Sequence, residues 1–288
     1  MIHIIEPCEP EIILGIEEFE DCVQQSQMLG KWEAWKGSYF KRFKGAFQPM
    51  LDVMYQDELN CLKPYVEAMD FDAALSNARS FVEVGGVDQV CQALDRAIGF
   101  LPSSEPFPVY LIVGIGQANG MALPAPEPYM FVGLEMTKCL DGIDGLIAHE
   151  YNHLYRVQAF YRNSFRSSLT VGNLTVGEFT IAEGLATIFP LVLLDQEISA
   201  KRIAECLPSL GDPGEAIARK SQMYADVLEQ WDQPASREMI ARFIESGVSY
   251  FIGGLMIASL LELGYGICAL TRMRTERLRE LVMSHCRT

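Results

Sequence analysis

The sequence predicts an α+β protein that is mostly α, and three observations carry that prediction. Apolar residues recur at helical spacing through the first hundred residues and again through the C-terminal part. A proline-rich break separates the first block from two short β-rich runs. Directly after those runs comes an apolar segment, Leu146-Ile147-Ala148-His149-Glu150-Tyr151-Asn152-His153-Leu154, which holds an H-E-x-x-H pattern.

Residues 1–100 read as mostly helical. Ile12, Ile13, Leu14, Ile16 and Phe19 open the block, and a charged and aromatic stretch follows through Trp32, Trp35, Tyr39 and Phe43. Met50 to Tyr55 and Leu62 to Met69 keep helix-like spacing. Val87, Val90, Leu94 and Ile98 recur at three and four, one face of an amphipathic helix over 87–100. The aromatic residues of this block are expected in the core, where large rings are usually buried. Pro102, Pro106 and Pro108 then exclude a helix and mark a linker over 101–108.

Val109 to Val113 and Tyr129 to Leu134 are the β-rich runs, joined by a Gly-, Ala- and Pro-rich loop over 114–128. Two arrangements fit. One is a plain hairpin that packs the next helix. The other leaves an exposed strand edge beside that helix, able to take up a peptide as a further strand. Asp141-Gly142-Ile143-Asp144 supplies helix-start signals, so the motif helix is expected over about 143–162. A polar connection over 162–173 leads to a second helix over 175–194, interrupted or ended near Pro190. Residues 207–214 read as a loop, and 215–231 and 235–246 as helices. A final apolar helix is expected over 249–270, its Gly253-Gly254 pair allowing close helix contact. The domain reading is an N-terminal lobe over 1–165, helical over 1–100 with the strands and the H-E-x-x-H helix over 105–165. A helical C-terminal lobe follows over 166–288.

Composition narrows the function classes. With 288 residues, 49% hydrophobic and 21% charged, the chain can bury a sizeable core. A net charge of −15 argues against nucleic acid and against an anionic membrane surface. The eight cysteines are scattered without a C-x-x-C pair, and the N-terminus lacks a basic region followed by an apolar core. No signal peptide and a reducing, cytoplasmic setting are therefore expected. The apolar run over 251–261 falls well short of the ~20 residues of a membrane span.

The chemistry gathers at the H-E-x-x-H segment. On a helix, His149 and His153 lie one turn apart on one face, where two neutral imidazoles can hold one metal ion. Glu150 projects from the same turn and can take a proton from a water held there. A catalytic zinc site uses three protein ligands, so a third is expected from another helix. Glu183, in the apolar stretch Thr180-Ile181-Ala182-Glu183-Gly184-Leu185-Ala186, is the leading candidate, because a buried carboxylate needs a partner. Gly184 beside it suits a close helix crossing. Glu178 is the rival, placed near the helix start where an acid is favourable anyway.

This pattern resembles the gluzincin group of zinc metallopeptidases, and more narrowly the YjaZ-like DUF2268 family of predicted zinc-dependent proteases. The resemblance spans roughly residues 105–265. It rests on the H-E-x-x-H helix followed by Glu183-Gly184-Leu185-Ala186, on the preceding strand–loop–strand, and on Tyr250-Phe251-Ile252-Gly253-Gly254, which is similar to a Tyr-x-x-Gly segment of that family. It implies a zincin-like fold, zinc ligands at His149, His153 and Glu183, and a general base at Glu150. The activity implied is hydrolysis of peptide bonds in a peptide or protein substrate. One position departs from the gluzincin pattern: Thr187 stands where many members carry an acid that orients a ligand histidine. Tyr250 is the expected donor to the oxyanion, with a packing role as the other reading, and Tyr151 is expected to pack. The departure at Thr187 also leaves a second function open, a metal-containing module that binds a peptide and cuts it weakly or not at all.

Overall fold

The computed structural model describes residues 9–55, 58–103, 105–123, 125, 127–137, 140–161 and 174–285. The polar connection expected over 162–173 lies outside the described residues, as do His3, Cys8, Cys139 and Cys286. Among the described residues the protein is α+β and mostly helical, with one small mixed sheet. The chain forms two compact units, residues 1–158 and 159–288.

The first unit opens with β1 (Glu11–Leu14). Then come α1 (Ile16–Leu29), α2 (Lys31–Ala34), a π-helical turn (Trp35–Tyr39), α3 (Phe40–Arg42), α4 (Lys44–Met54), α5 (Lys63–Ala68), α6 (Phe71–Glu83) and α7 (Gly86–Phe100). Three strands follow, β2 (Pro108–Ile112), β3 (Gly120–Met121) and β4 (Met130–Gly133). The motif helix α8 (Ile143–Arg156) runs on into a second π-helical turn (Val157–Tyr161), so the helix expected over 143–162 is present.

The sheet order is β1-β2-β4-β3. β1 corrects the helical reading of Ile12 to Leu14: the strand pairs with β2 in parallel, Ile12 opposite Val109. Gly15 ends it where no side chain fits, since a Cβ there would lie 2.5 Å from the Phe43 ring and 2.7 Å from Ile112. An apolar triplet fits helix or strand equally well, and only a distant partner decides. β2 and β4 also pair in parallel, which excludes the plain hairpin. The loop between them carries β3, antiparallel to β4 and at the sheet edge. The aromatic residues of the N-terminal block are core, as expected: Phe19, Trp35, Tyr39, Phe43 and Phe47 are buried and meet edge to face or tilted. The Tyr39 hydroxyl accepts the amide of Val113 at 2.9 Å and so ties this cluster to the end of β2.

In the second unit the helices are α9 (Val176–Leu193), α10 (Ala200–Glu205), α11 (Pro213–Glu229), α12 (Arg237–Ser246), α13 (Val248–Glu262), α14 (Ile267–Thr271) and α15 (Thr275–His285). α9 begins at a capping box in which Thr175 and Glu178 satisfy each other's backbone amides. By length and composition α9 could cross a membrane, yet 78% of it is buried inside the protein, which makes it a core helix. It ends at Leu193, within the expected span of 175–194, and runs through Pro190 without the interruption expected there. Proline in a helix interior costs about 3 kcal/mol, and burial of Ile188, Phe189 and Leu191 around it offsets that.

The expected close contact of α13 holds. A Cβ on Gly184 would lie 2.2 Å from the carbonyl carbon of Gly253, and one on Gly253 would lie 2.1 Å from the Thr180 carbonyl oxygen. α13 is shorter than expected. Gly264 takes φ +92°, Tyr265 N–H donates to the Leu260 carbonyl and Gly264 N–H to that of Leu261, which together form a Schellman stop. α14 and α15 then follow as separate helices.

Candidate metal centre

α8 carries the motif because one face of it is the core. Ile147, Ala148, Tyr151 and Leu154 are fully buried. Gly142 at φ +81° starts the helix and Asp144 stands in its first turn, ion-paired with Arg96 of α7. The face next to the buried one presents His149 and His153, both half-buried. Their Nε2 atoms are 3.1 Å apart, with the rings inclined at 77°. Two nitrogens on one tetrahedral zinc, each at about 2.0–2.1 Å, stand roughly 3.3 Å apart. The two imidazoles are therefore spaced as ligands of one ion. A direct N–H···N bond between neutral rings has a similar length, so the third group matters.

That group is Glu183. A ligand atom from each of His149, His153 and Glu183 lies within 4.8 Å of the other two. Glu183 is 7% exposed, on the apolar helix α9 one residue before the Gly184 crossing point. The rival carboxylate is committed elsewhere: Glu178 Oε2 accepts the Thr175 amide at 2.8 Å in the capping box. The donor set of two imidazoles and one carboxylate suits a divalent ion of the zinc kind.

Glu150 is 6% exposed. It lies against the edge strand: a Cβ built on Gly120 of β3 would stand 2.9 Å from Glu150 Cγ and 3.2 Å from its Oε1. Only glycine lets β3 run this close to the carboxylate. The loop reading over 114–128 missed β3, because a strand of two residues, one of them Gly, leaves no alternation to detect. Neither expected strand supplies an edge, since β2 and β4 are interior to the sheet; the edge beside the motif helix belongs to β3.

The remaining candidates separate cleanly. Tyr151 packs, as expected: its ring meets Phe107 and its hydroxyl donates to the Leu101 carbonyl at 2.6 Å. Tyr250 is half-buried on α13, one turn before Gly253. Thr187 sits one turn after Glu183 on α9, 8% exposed, and its hydroxyl finds no hydrogen-bond partner among the described residues. Sequence reading also missed Glu135, a buried carboxylate just past β4. Oε2 accepts the amide of Gly114 at 2.7 Å and Oε1 that of Gly116 at 2.8 Å. Burial raises its carboxyl above the ordinary 4.5, and the two amides oppose that rise.

No protein-family model matches the chain, and neither does any curated protein or solved structure.

Proposed function

We propose that the chain is a zinc-dependent metallopeptidase of the gluzincin kind, with a zincin-like fold. The observation that carries the reading is the approach of His149, His153 and Glu183 to within 4.8 Å of one another. Those three side chains would hold the ion, and zinc when bound supplies Lewis acidity to a scissile carbonyl and brings the pKa of a water toward ~7.

The chain's own residues do the rest. Glu150, next to the first ligand and clear of the ligand set, takes a proton from the attacking water and returns it to the leaving amine. Its burial at 6% exposure keeps bulk water away from that exchange. The edge of β3 beside it receives an extended peptide through backbone hydrogen bonds. Tyr250 donates to the oxyanion. The substrate is a peptide or an extended protein segment.

The test is metal analysis together with Glu150→Gln. Wild type is expected to carry about one zinc per chain and to cut peptides in a chelator-sensitive way. Glu150→Gln is expected to keep the metal and lose hydrolysis. Hydrolysis that survives the substitution removes Glu150 as the base. One observation favours the second reading, a module that holds metal and peptide without cutting: Thr187 offers a hydroxyl with no hydrogen-bond partner among the described residues where an orienting acid would stand. Peptide binding with zinc present and no cleavage across a peptide library would select it.

A further inference from the structure

The Glu135 carboxylate is enclosed by backbone. A Cβ on Gly114 would lie 2.7 Å from its Oε1, and one on Gly133 would lie 3.2 Å from its Oε2. Glycines on two sides leave just enough room for the group. The two amides it accepts, those of Gly114 and Gly116, belong to the stretch that leaves β2 and leads to β3. Gly116 takes φ +71°, a left-handed turn that faces its N–H to the carboxylate. The same stretch is pinned further on, where Gly133 N–H donates to the Asn119 carbonyl at 2.9 Å. The next residue is Gly120, the one that lies against Glu150.

A chain of contacts therefore runs from Glu135 through 114–119 to the edge strand and on to Glu150. Without this carboxylate, two amides would lose their acceptor, that of Gly114 in a buried position. A two-residue strand has little pairing of its own to fix its register.

We propose that Glu135 is a positioning residue, a latch that holds the loop 114–119 and so sets the β3 edge against Glu150. Its role in peptide binding rests on the peptidase reading, while the latch itself stands independently. Glu135→Gln keeps the shape, but its amide group can accept from only one of the two N–H donors. The experiment is amide hydrogen exchange on wild type and Glu135→Gln, with peptide kinetics and zinc content on the same samples. In wild type the Gly114 and Gly116 amides are expected among the slowly exchanging ones. In Glu135→Gln the segment 114–121 is expected to exchange at least tenfold faster, with the β1–β2 pairing unchanged. KM for peptide is expected to rise about tenfold with kcat and zinc content close to wild type. Gly114 and Gly116 amides that exchange in wild type as fast as open-loop amides overturn the latch, even if the variant does not fold. Faster exchange with an unchanged KM overturns its link to the substrate edge. If wild type cuts no peptide at all, the peptidase reading fails, and the exchange data still decide the latch.

Discussion

Gly120→Ala tests the contact between the edge strand and Glu150, the base of the proposed mechanism. The added Cβ would stand 2.9 Å from Glu150 Cγ and 2.9 Å from Leu146 Cδ1. Carbon pairs rest at about 3.5–4.0 Å, so one side must give by roughly 0.6 Å or more. Leu146 can turn its methyl away. Glu150 can relieve its contact only by moving along the side chain that carries the carboxylate. A misplacement of 1 Å at a reacting group can cost about a hundredfold, so a loss of roughly ten- to a hundredfold in kcat is expected. That corresponds to about 1.4–2.7 kcal/mol of activation free energy. Overpacking should also lower stability by about 1–3 kcal/mol. The assay is kcat on a cleaved peptide, with zinc per chain and a urea melt as controls. Met121→Ala, on the opposite face of the same strand, is the comparator and should leave kcat within about twofold. A folded, zinc-loaded Gly120→Ala protein with wild-type kcat would refute the argument that a Cβ at position 120 displaces Glu150.

Four further outcomes are expected. Gly184→Ala should destabilise by about 3 kcal/mol and lower zinc affinity with it, because its Cβ meets Gly253 backbone at 2.2 Å and backbone cannot rotate aside; urea unfolding and metal titration read both. Tyr151→Phe should cost about 1–3 kcal/mol by stranding the Leu101 carbonyl, with kcat unchanged, whereas Tyr250→Phe should lower kcat about a hundredfold with little effect on stability; the reverse pattern would move the oxyanion donor to Tyr151. Burial pushes the Cys22 thiol up to about 12, so it should resist iodoacetamide at pH 8 while the exposed Cys61 and Cys206 react; peptide mapping of the labelled protein checks this. The native carboxyl of Glu135 is raised above its unfolded 4.5, so its contribution to stability is fully present below 4.5 and is lost as pH rises through the native value. Glu135→Gln should therefore remove that slope from a plot of unfolding free energy against pH.

The pairing of His149 with His153 was legible in the sequence because one helix turn fixes their relation, whatever surrounds the helix. Glu183 was legible as a candidate for a different reason: a carboxylate set in an apolar stretch beside a glycine needs a polar or ionic partner. The helical class, the aromatic core and the glycine crossing of α9 and α13 followed from spacing and side-chain size. The stop at Gly264 could have been read from the glycine alone, since it supplies the left-handed residue that ends α13.

What only the tertiary structure decided is how distant backbone segments pair. β1 became a strand because β2 offers Glu11 to Leu14 a parallel partner nearly a hundred residues away, and no local pattern records that. The same pairing logic excluded the hairpin alternative, made the two β-rich runs parallel strands and put the edge at Gly120 and Met121. Glu135 shows the limit most plainly. In the sequence it is one acid among thirty-eight acidic residues, and its meaning comes from two amides some twenty residues earlier that point at it once the sheet has formed. Local spacing determines what a residue can do within its own helix turn; partners brought in by strand pairing depend on the whole fold.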